Sequence, residues 1–359
     1  MTTYNFAAGP AVLPKTVLEQ VQKEMLNFKN SNMSILEISH RSDLFTTVYQ
    51  SAKQRLLALM ALSPVDYDVL FLQGGATLQF TMLPLNLATK YHRVAYLDSG
   101  HWSARAIEEA AKLKDLTVDV LTSSEDNHYT NIPEFPEVLE DTYDYLHITT
   151  NNTIEGTAYW SLPETKTPLV ADMSSNFLGQ TYPYEAFDVI YAGAQKNLAP
   201  AGLTIVVIKK ALLQQTADNL PSMLDYTALA KKDSALNTPP VFQIYVADLV
   251  LQWLEQQGGV AAMTAINQQK AACLYDFLDQ SKLFHTPVQK TARSLMNIPF
   301  LTDDPAVDQD VITKASAAGL LNLKGHRLVG GLRASLYNAM SLEGVQALVT
   351  FLKAYEQRQ

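Results

Sequence analysis

Residues 187–210 read FDVIYAGAQKNLAPAGLTIVVIKK. They set a single lysine, Lys196, between two apolar runs, 187–192 and 203–208. Both runs have the length and β-branched content of buried strands. Small residues, Ala192, Gly193 and Ala194, precede the lysine, and Asn197, Pro200 and Gly202 follow it. A solvated lysine needs no such setting, so Lys196 is a candidate for chemistry.

Outward from this stretch, short apolar runs at 67–72, 93–97, 118–121, 145–148 and 168–171 alternate with helical patterns such as 77–88 and 103–113. That alternation predicts an α/β fold, a mostly parallel sheet covered by helices on both faces. Ligands in such sheets bind beyond the carboxyl ends of the strands. After residue 208 the texture changes. Helical patterns at 240–257 and 260–278 lead to a strand at 294–300, a helix at 308–318, a strand at 331–337 and a last helix from Leu342. This predicts a large domain over 15–268 and a smaller α+β domain formed by 1–14 and 269–359.

The chain has 359 residues, 47% of them apolar and 18% charged, which is a globular composition with room for a sizeable core. A net charge of −9 argues against nucleic acid or an anionic membrane as partner. No run is long enough to span a bilayer. The opening MTTYNFAAGPAVLP lacks the basic and apolar segments of a secretory leader. The single cysteine, Cys273, forbids an internal disulfide, reads as a buried small hydrophobe and fits a reducing cytosol. A cytoplasmic location is therefore expected, and no metal site is.

The strand ends supply the candidate groups. The run 168–171 ends at Asp172, and the next ends before Gln195 and Lys196. If these strands are parallel, the acid and the lysine reach one edge. A structural ion pair or a helix cap would explain the pair equally well. The other reading is a lysine that attacks a carbonyl when neutral. A pyridoxal cofactor would add the need for a carboxylate on its ring nitrogen, a place for Asp172. Gly74-Gly75, followed by a helix from Ala76 and Thr77, could cradle a phosphate or be a plain tight turn. No Walker lysine follows. Trp102 could stack on a planar ring or pack in the core. Thr153, in TNNTIEGT, offers a hydroxyl or turn chemistry. Two cationic clusters, His40 with Arg41 and His326 with Arg327 and Arg333, suit a small polyanion. For His326 and Arg327 a solvated basic turn is the alternative.

The runs YAGAQKNLAPAGLTIVVI, NNTIEGT, ADMSSNF, LNTPPVFQIY, INQQKA and KGHRLVGGLRASLYNAM resemble the phosphoserine aminotransferase family, in matching order along essentially the whole chain. So do NFAAGPAVLP and SHRSDLF. The resemblance implies class V of the pyridoxal-phosphate aminotransferases. Their fold is type I, aspartate-aminotransferase-like, with a seven-stranded sheet in the large domain. It implies one pyridoxal 5'-phosphate per subunit, held as an imine by Lys196. Asp172 faces its ring nitrogen, Trp102 its ring, Thr153 and Gln195 its ring oxygen, and Ala76 and Thr77 its phosphate.

Asn237 and Thr238 match residues that reach the phosphate from the other subunit, implying a homodimer with shared sites. Arg41 matches the position that binds the substrate's carboxylate-bearing end, with His40 beside it as a further substrate-binding residue, Arg333 matches the α-carboxylate clamp, and His326 with Arg327 the substrate-phosphate contacts. Some members carry arginine where this chain has Thr77, which shifts that contact onto His40, Arg41, His326 and Arg327. The implied reaction moves the amino group of L-glutamate to 3-phosphohydroxypyruvate, giving O-phospho-L-serine and 2-oxoglutarate in serine biosynthesis. Action on 3-hydroxy-2-oxo-4-phosphooxybutanoate in pyridoxine biosynthesis is a further implication. A serine–glyoxylate type aminotransferase, a cofactor-binding module without turnover and a nucleotide-binding α/β protein stay open as alternatives.

Overall fold

The computed structural model describes residues 2–136 and 141–358. Strand β1 (Tyr4–Asn5) is followed by helices α1 (Lys15–Glu24) and α2 (Asp43–Leu59). Next come β2 (Tyr67–Leu72), α3 (Gly75–Leu87), β3 (Arg93–Asp98), α4 (His101–Ala110) and β4 (Thr117–Ser123). The strands β5 (Leu146–Thr149), β6 (Leu169–Asp172), β7 (Val189–Gly193) and β8 (Thr204–Lys209) complete the central sheet. Helices α5 (Tyr226–Ala230), α6 (Val241–Gln256) and α7 (Gly259–Leu278) lead to the C-terminal elements. These are β9 (Asn297–Phe300), α8 (Pro305–Ala317), β10 (Leu320–Leu321), β11 (Leu332–Ser335) and α9 (Leu342–Glu356).

The sheet has seven strands in the order β2-β8-β7-β6-β5-β3-β4. Pairings among β4, β3, β5, β6 and β7 are parallel, and both pairings of β8 are antiparallel. One strand, β8, therefore runs against the other six, as a mostly parallel α/β sheet allows. Every residue of β5, β6 and β7 is buried. That burial explains why they read as continuous apolar runs rather than as alternating strands.

Alternate residues still serve opposite faces. Ile190 and Ala192 join a core with α1, α2 and α6, while Val189 and Tyr191 join one with α3, α4 and α5. A third core gathers Phe6 with α7's second half, β9, α8, β11 and α9. Helix α7 spans two of these cores, with Val260 and Met263 in the first and Leu274 and Phe277 in the third.

Local chemistry moves several expected boundaries. Helix α8 starts at Pro305, earlier than 308, because the Asp304 side chain accepts from the Ala306 N–H and proline suits the first helical position. The strand expected over 294–300 begins only at Asn297. The Ser294 hydroxyl there accepts the N–H groups of Met296 and Asn297 and turns the chain. Cys273 is only partly buried, packed against the C-terminal core.

Candidate active site

Six strands pointing one way put the ends of β2, β3, β5, β6 and β7 on one edge. Asp172 is the last residue of β6 and is paired in register with Tyr191 of the parallel strand β7. Lys196 follows β7 in the turn toward β8. The condition set by the sequence, that the acid and the lysine leave parallel strands, is met.

Lys196 is half-buried, and its Nζ donates to Thr153 Oγ1 at 2.7 Å. Burial pushes its amine down to about 8, with Arg333 adding to the effect and the Asp172 charge opposing it. Asp172 is buried, which raises its carboxyl above the ordinary value, while Ser174 and Lys196 pull the other way. The Ser174 N–H donates to Asp172 Oδ1 at 2.8 Å. Arg333, on β11, donates from Nη1 to the Thr153 carbonyl at 3.2 Å. Thr153 thus touches the lysine with its hydroxyl and the arginine with its backbone, although Arg333 lies 180 residues away.

The turn that carries Lys196 is tied down from several sides. The Ala11 N–H donates to the Gln195 carbonyl at 2.9 Å. The Asn338 N–H donates to Asn197 Oδ1 at 3.0 Å, and Asn267 Nδ2 donates to Asn338 Oδ1 at 2.9 Å. Gln195 folds over Gly193, where a Cβ would sit 2.8 Å from its Oε1.

Two helix N-termini complete the edge. Helix α3 opens through Gly74 and Gly75, both with φ in the left-handed region, and no side chain caps it. Nothing lies within 4 Å of a Cβ placed on Gly75, so Ala76 and Thr77 start the helix beside open space. Helix α4 opens with His101 and Trp102, whose rings meet edge to face at 5.2 Å. The Trp102 Nε1 is buried with no hydrogen-bond partner.

The structure adds one acid that local sequence gave no reason to choose. Glu155 is buried, and its Oε1 accepts the His101 N–H at 2.9 Å. Its Oε2 is buried without a partner, and burial raises its carboxyl. A Cβ on Gly100 would meet Asn152 Oδ1 at 2.7 Å and Glu155 Oε2 at 2.9 Å, so this approach requires glycine.

The remaining candidates stand apart. His326 lies close to His101, and Arg327 is exposed in the same loop. Arg41, Asn237 and Thr238 are exposed, and His40 is half-exposed. Thr238 touches the α3 turn through Gln73, whose Nε2 donates to its carbonyl at 3.4 Å. Among the described residues, no hydrogen bond or ion pair joins His40, Arg41, Asn237 or Thr238 to Lys196, Thr153 or Arg333.

A half-buried amine within the electrostatic reach of a buried carboxylate and a guanidinium suits carbonyl–amine chemistry. The chain belongs to the class-V aminotransferase family, whose model, Aminotransferase class-V, matches residues 3–348. It is 65% identical over 357 residues to the phosphoserine aminotransferase of Limosilactobacillus fermentum, covering 99% of both chains. A crystal structure of phosphoserine aminotransferase from Bacillus circulans subsp. alkalophilus superposes with a TM-score of 0.96 at 40% identity, covering 99% of both. The phosphoserine aminotransferase of Trichomonas vaginalis, solved with pyridoxal phosphate bound, gives 0.92 at 36%, covering 98% of this chain and all of that one. Among the described residues no helix is long and apolar enough to cross a membrane.

Proposed function

We infer that the protein transfers the amino group of L-glutamate to 3-phosphohydroxypyruvate, reversibly, giving O-phospho-L-serine and 2-oxoglutarate, with pyridoxal 5'-phosphate as cofactor. The observation that carries this reading is the Lys196 amine. It is held by Thr153 between Asp172 and Arg333 at the carboxyl edge of the sheet, in a chain so similar to phosphoserine aminotransferases.

The residues present fit the cofactor. Lys196 offers an amine that burial brings toward neutrality, Asp172 a sequestered negative charge, and the uncapped α3 start free N–H groups for a phosphate. When bound, the cofactor supplies a protonated ring that accepts the electron pair left at the substrate Cα. The chain supplies the rest. Asp172, fixed by the Ser174 N–H, would offer its negative charge to the ring nitrogen. Trp102 would stack on the ring. The neutral amine of Lys196 would take the proton from Cα and deliver it to the cofactor carbon beyond the intervening nitrogen, and the Thr153 hydroxyl, accepting from Nζ, would hold that amine in line. Gln195 and Thr153 serve the ring oxygen. Arg333 takes the α-carboxylate through its two parallel N–H groups. His326 and Arg327 take the phosphate.

His40, Arg41, Asn237 and Thr238 complete the site across a homodimer, Asn237 and Thr238 beside the partner's cofactor phosphate. Their exposure in the single chain, away from Lys196, supports this reading. The same reading divides the chain into a large unit, 15–268, and a small one, 1–14 with 269–359. The separate C-terminal core, which draws in Phe6, supports the division.

The test is a visible absorption titration of the purified protein with O-phospho-L-serine, with L-serine as control. The yellow band of the lysine-bound cofactor is expected to disappear with phosphoserine at concentrations where serine does nothing. Equal action of the two would point to another aminotransferase of this fold, and no band after reconstitution would remove Lys196 from its role.

A further inference from the structure

Two imidazoles face each other where α4 meets the loop before β11. The rings of His101 and His326 lie 6.2 Å apart, their planes inclined by 40°. Around His101 stand Arg105 and Glu108 of its own helix, Arg327 of the facing loop, and Glu155, which holds its backbone N–H. Around His326 stand Arg333, Arg327 and His101. Arg105 is already engaged by Glu108 and Glu109. The two imidazoles, Arg327 and Arg333 therefore form a patch rich in donors, in a chain whose net charge is −9. Burial and the neighbouring arginines hold both imidazoles below their ordinary 6.5, so near neutral pH the empty site keeps them uncharged.

The two rings are not equivalent. The Leu328 N–H donates to His326 Nδ1 at 3.3 Å, so neutral His326 carries its hydrogen on Nε2. Protonating His326 would break that bond. Among the described residues no hydrogen bond occupies the His101 ring, which is free to take a proton.

We propose that His101 is a phosphate-binding residue for the phosphorylated amino acid, working opposite His326 and Arg327, and that a proton from solvent moves onto its imidazole as the phosphate docks. The proposal rests on the phosphoserine reading and adds a residue to it. A dianion beside the ring stabilises imidazolium, so the ring's pKa rises on binding. Affinity for the phosphorylated ligand then falls as pH rises above neutrality. Below about pH 6 it falls again, because the phosphate takes its own second proton.

The probe is 3-phosphoglycerate, which lacks an amino group and cannot turn over, with glycerate as control. Calorimetry of the holoenzyme in two buffers of different ionisation enthalpy counts the protons taken up. Wild type is expected to take up a measurable fraction of a proton. His101→Phe takes up much less and binds about tenfold more weakly, the worth of one charge-assisted contact. His101→Asn, which keeps a donor but cannot titrate, recovers part of the affinity and none of the uptake.

In parallel, the KM for O-phospho-L-serine rises about tenfold in His101→Phe, while that for L-glutamate moves far less. The cofactor band stays in place, which a mere disturbance of Trp102 would not allow. Wild-type affinity and proton uptake in both variants would overturn the proposal, and so would a wild type that binds 3-phosphoglycerate without uptake. If wild type does not distinguish 3-phosphoglycerate from glycerate, or phosphoserine from serine, the phosphoserine reading fails and takes this one with it.

Discussion

Two lysines in this molecule are withdrawn from water, and they have opposite fates. Lys196, in the turn after β7, is half-buried, donates to one hydroxyl and has burial push its amine to about 8. Lys270, in the middle of α7, is fully buried, and burial pushes it to about 7. Its Nζ donates to the carbonyls of Leu336, Tyr337 and Met340 at 3.0, 2.9 and 3.0 Å. Each of its three hydrogens has an acceptor, and none is left for a ligand. Lys270 fixes the chain that leaves β11, the strand of Arg333, whereas Lys196 keeps hydrogens to spare and stays partly exposed. A lowered pKa alone marks burial, and access with spare bonding capacity marks chemistry.

The contrast predicts opposite outcomes for removing each amine. Lys196→Ala is expected to lose at least about a thousandfold in single-turnover conversion of O-phospho-L-serine, with an urea midpoint close to wild type. An active Lys196→Ala would erase the distinction at once. Lys270→Met removes the partner of the Leu336 and Met340 carbonyls, while that of Tyr337 keeps the Met340 N–H, and is expected to cost on the order of 3 kcal/mol of stability by urea unfolding. The folded fraction should keep a turnover within about threefold of wild type, because no reacting atom is touched. A near-wild-type midpoint for Lys270→Met would mean that water replaces the ammonium.

A smaller effect is chemical. In the apoprotein an amine-reactive reagent should label Lys196 at a rate that climbs as pH rises through about 8, and should spare Lys270 until unfolding. The smallest effect concerns pH and stability. Lys270 has a folded pKa below its unfolded 10.5, so between about 7 and 10.5 the unfolded chain binds more protons. Its contribution therefore rises with pH across that window. The corresponding slope in unfolding free energy should flatten in Lys270→Met.

Much of this comparison was visible in the sequence, and part could not be. The strands 67–72 and 204–209 announce themselves because both faces are buried and the runs are apolar apart from Asp68, Thr204 and Lys209. The lysine between β7 and β8 stands out because no acidic residue lies between the two apolar runs to pair with it. The pairing of β1 with β10 is two residues long and joins Tyr4 and Asn5 to Leu320 and Leu321, too short for any periodicity. Helices α1 and α2 drew no prediction, although the Ser42 hydroxyl that caps α2 was a legible signal. Glu155 and His101 carry no local signal because their partners lie far off in sequence. The acid meets an N–H 54 residues away, and the imidazole meets a ring across the sheet edge. Lys270 reads locally as one more polar residue in INQQKA. Only the folded chain brings the three carbonyls to it.

Helix α7 has a mechanical consequence. Its twenty residues make a rod about 30 Å long, with one end set in the core beneath the sheet and the other in the C-terminal core. No glycine or proline interrupts it after Gly259. That unbroken rod therefore ties the two cores together alongside the hydrogen bonds from Asn338 to Asn197 and from Arg333 to Thr153. Arg333 lies on a strand of that core and also grips the Thr153 carbonyl directly, so rod and hydrogen bond act as two struts of one brace.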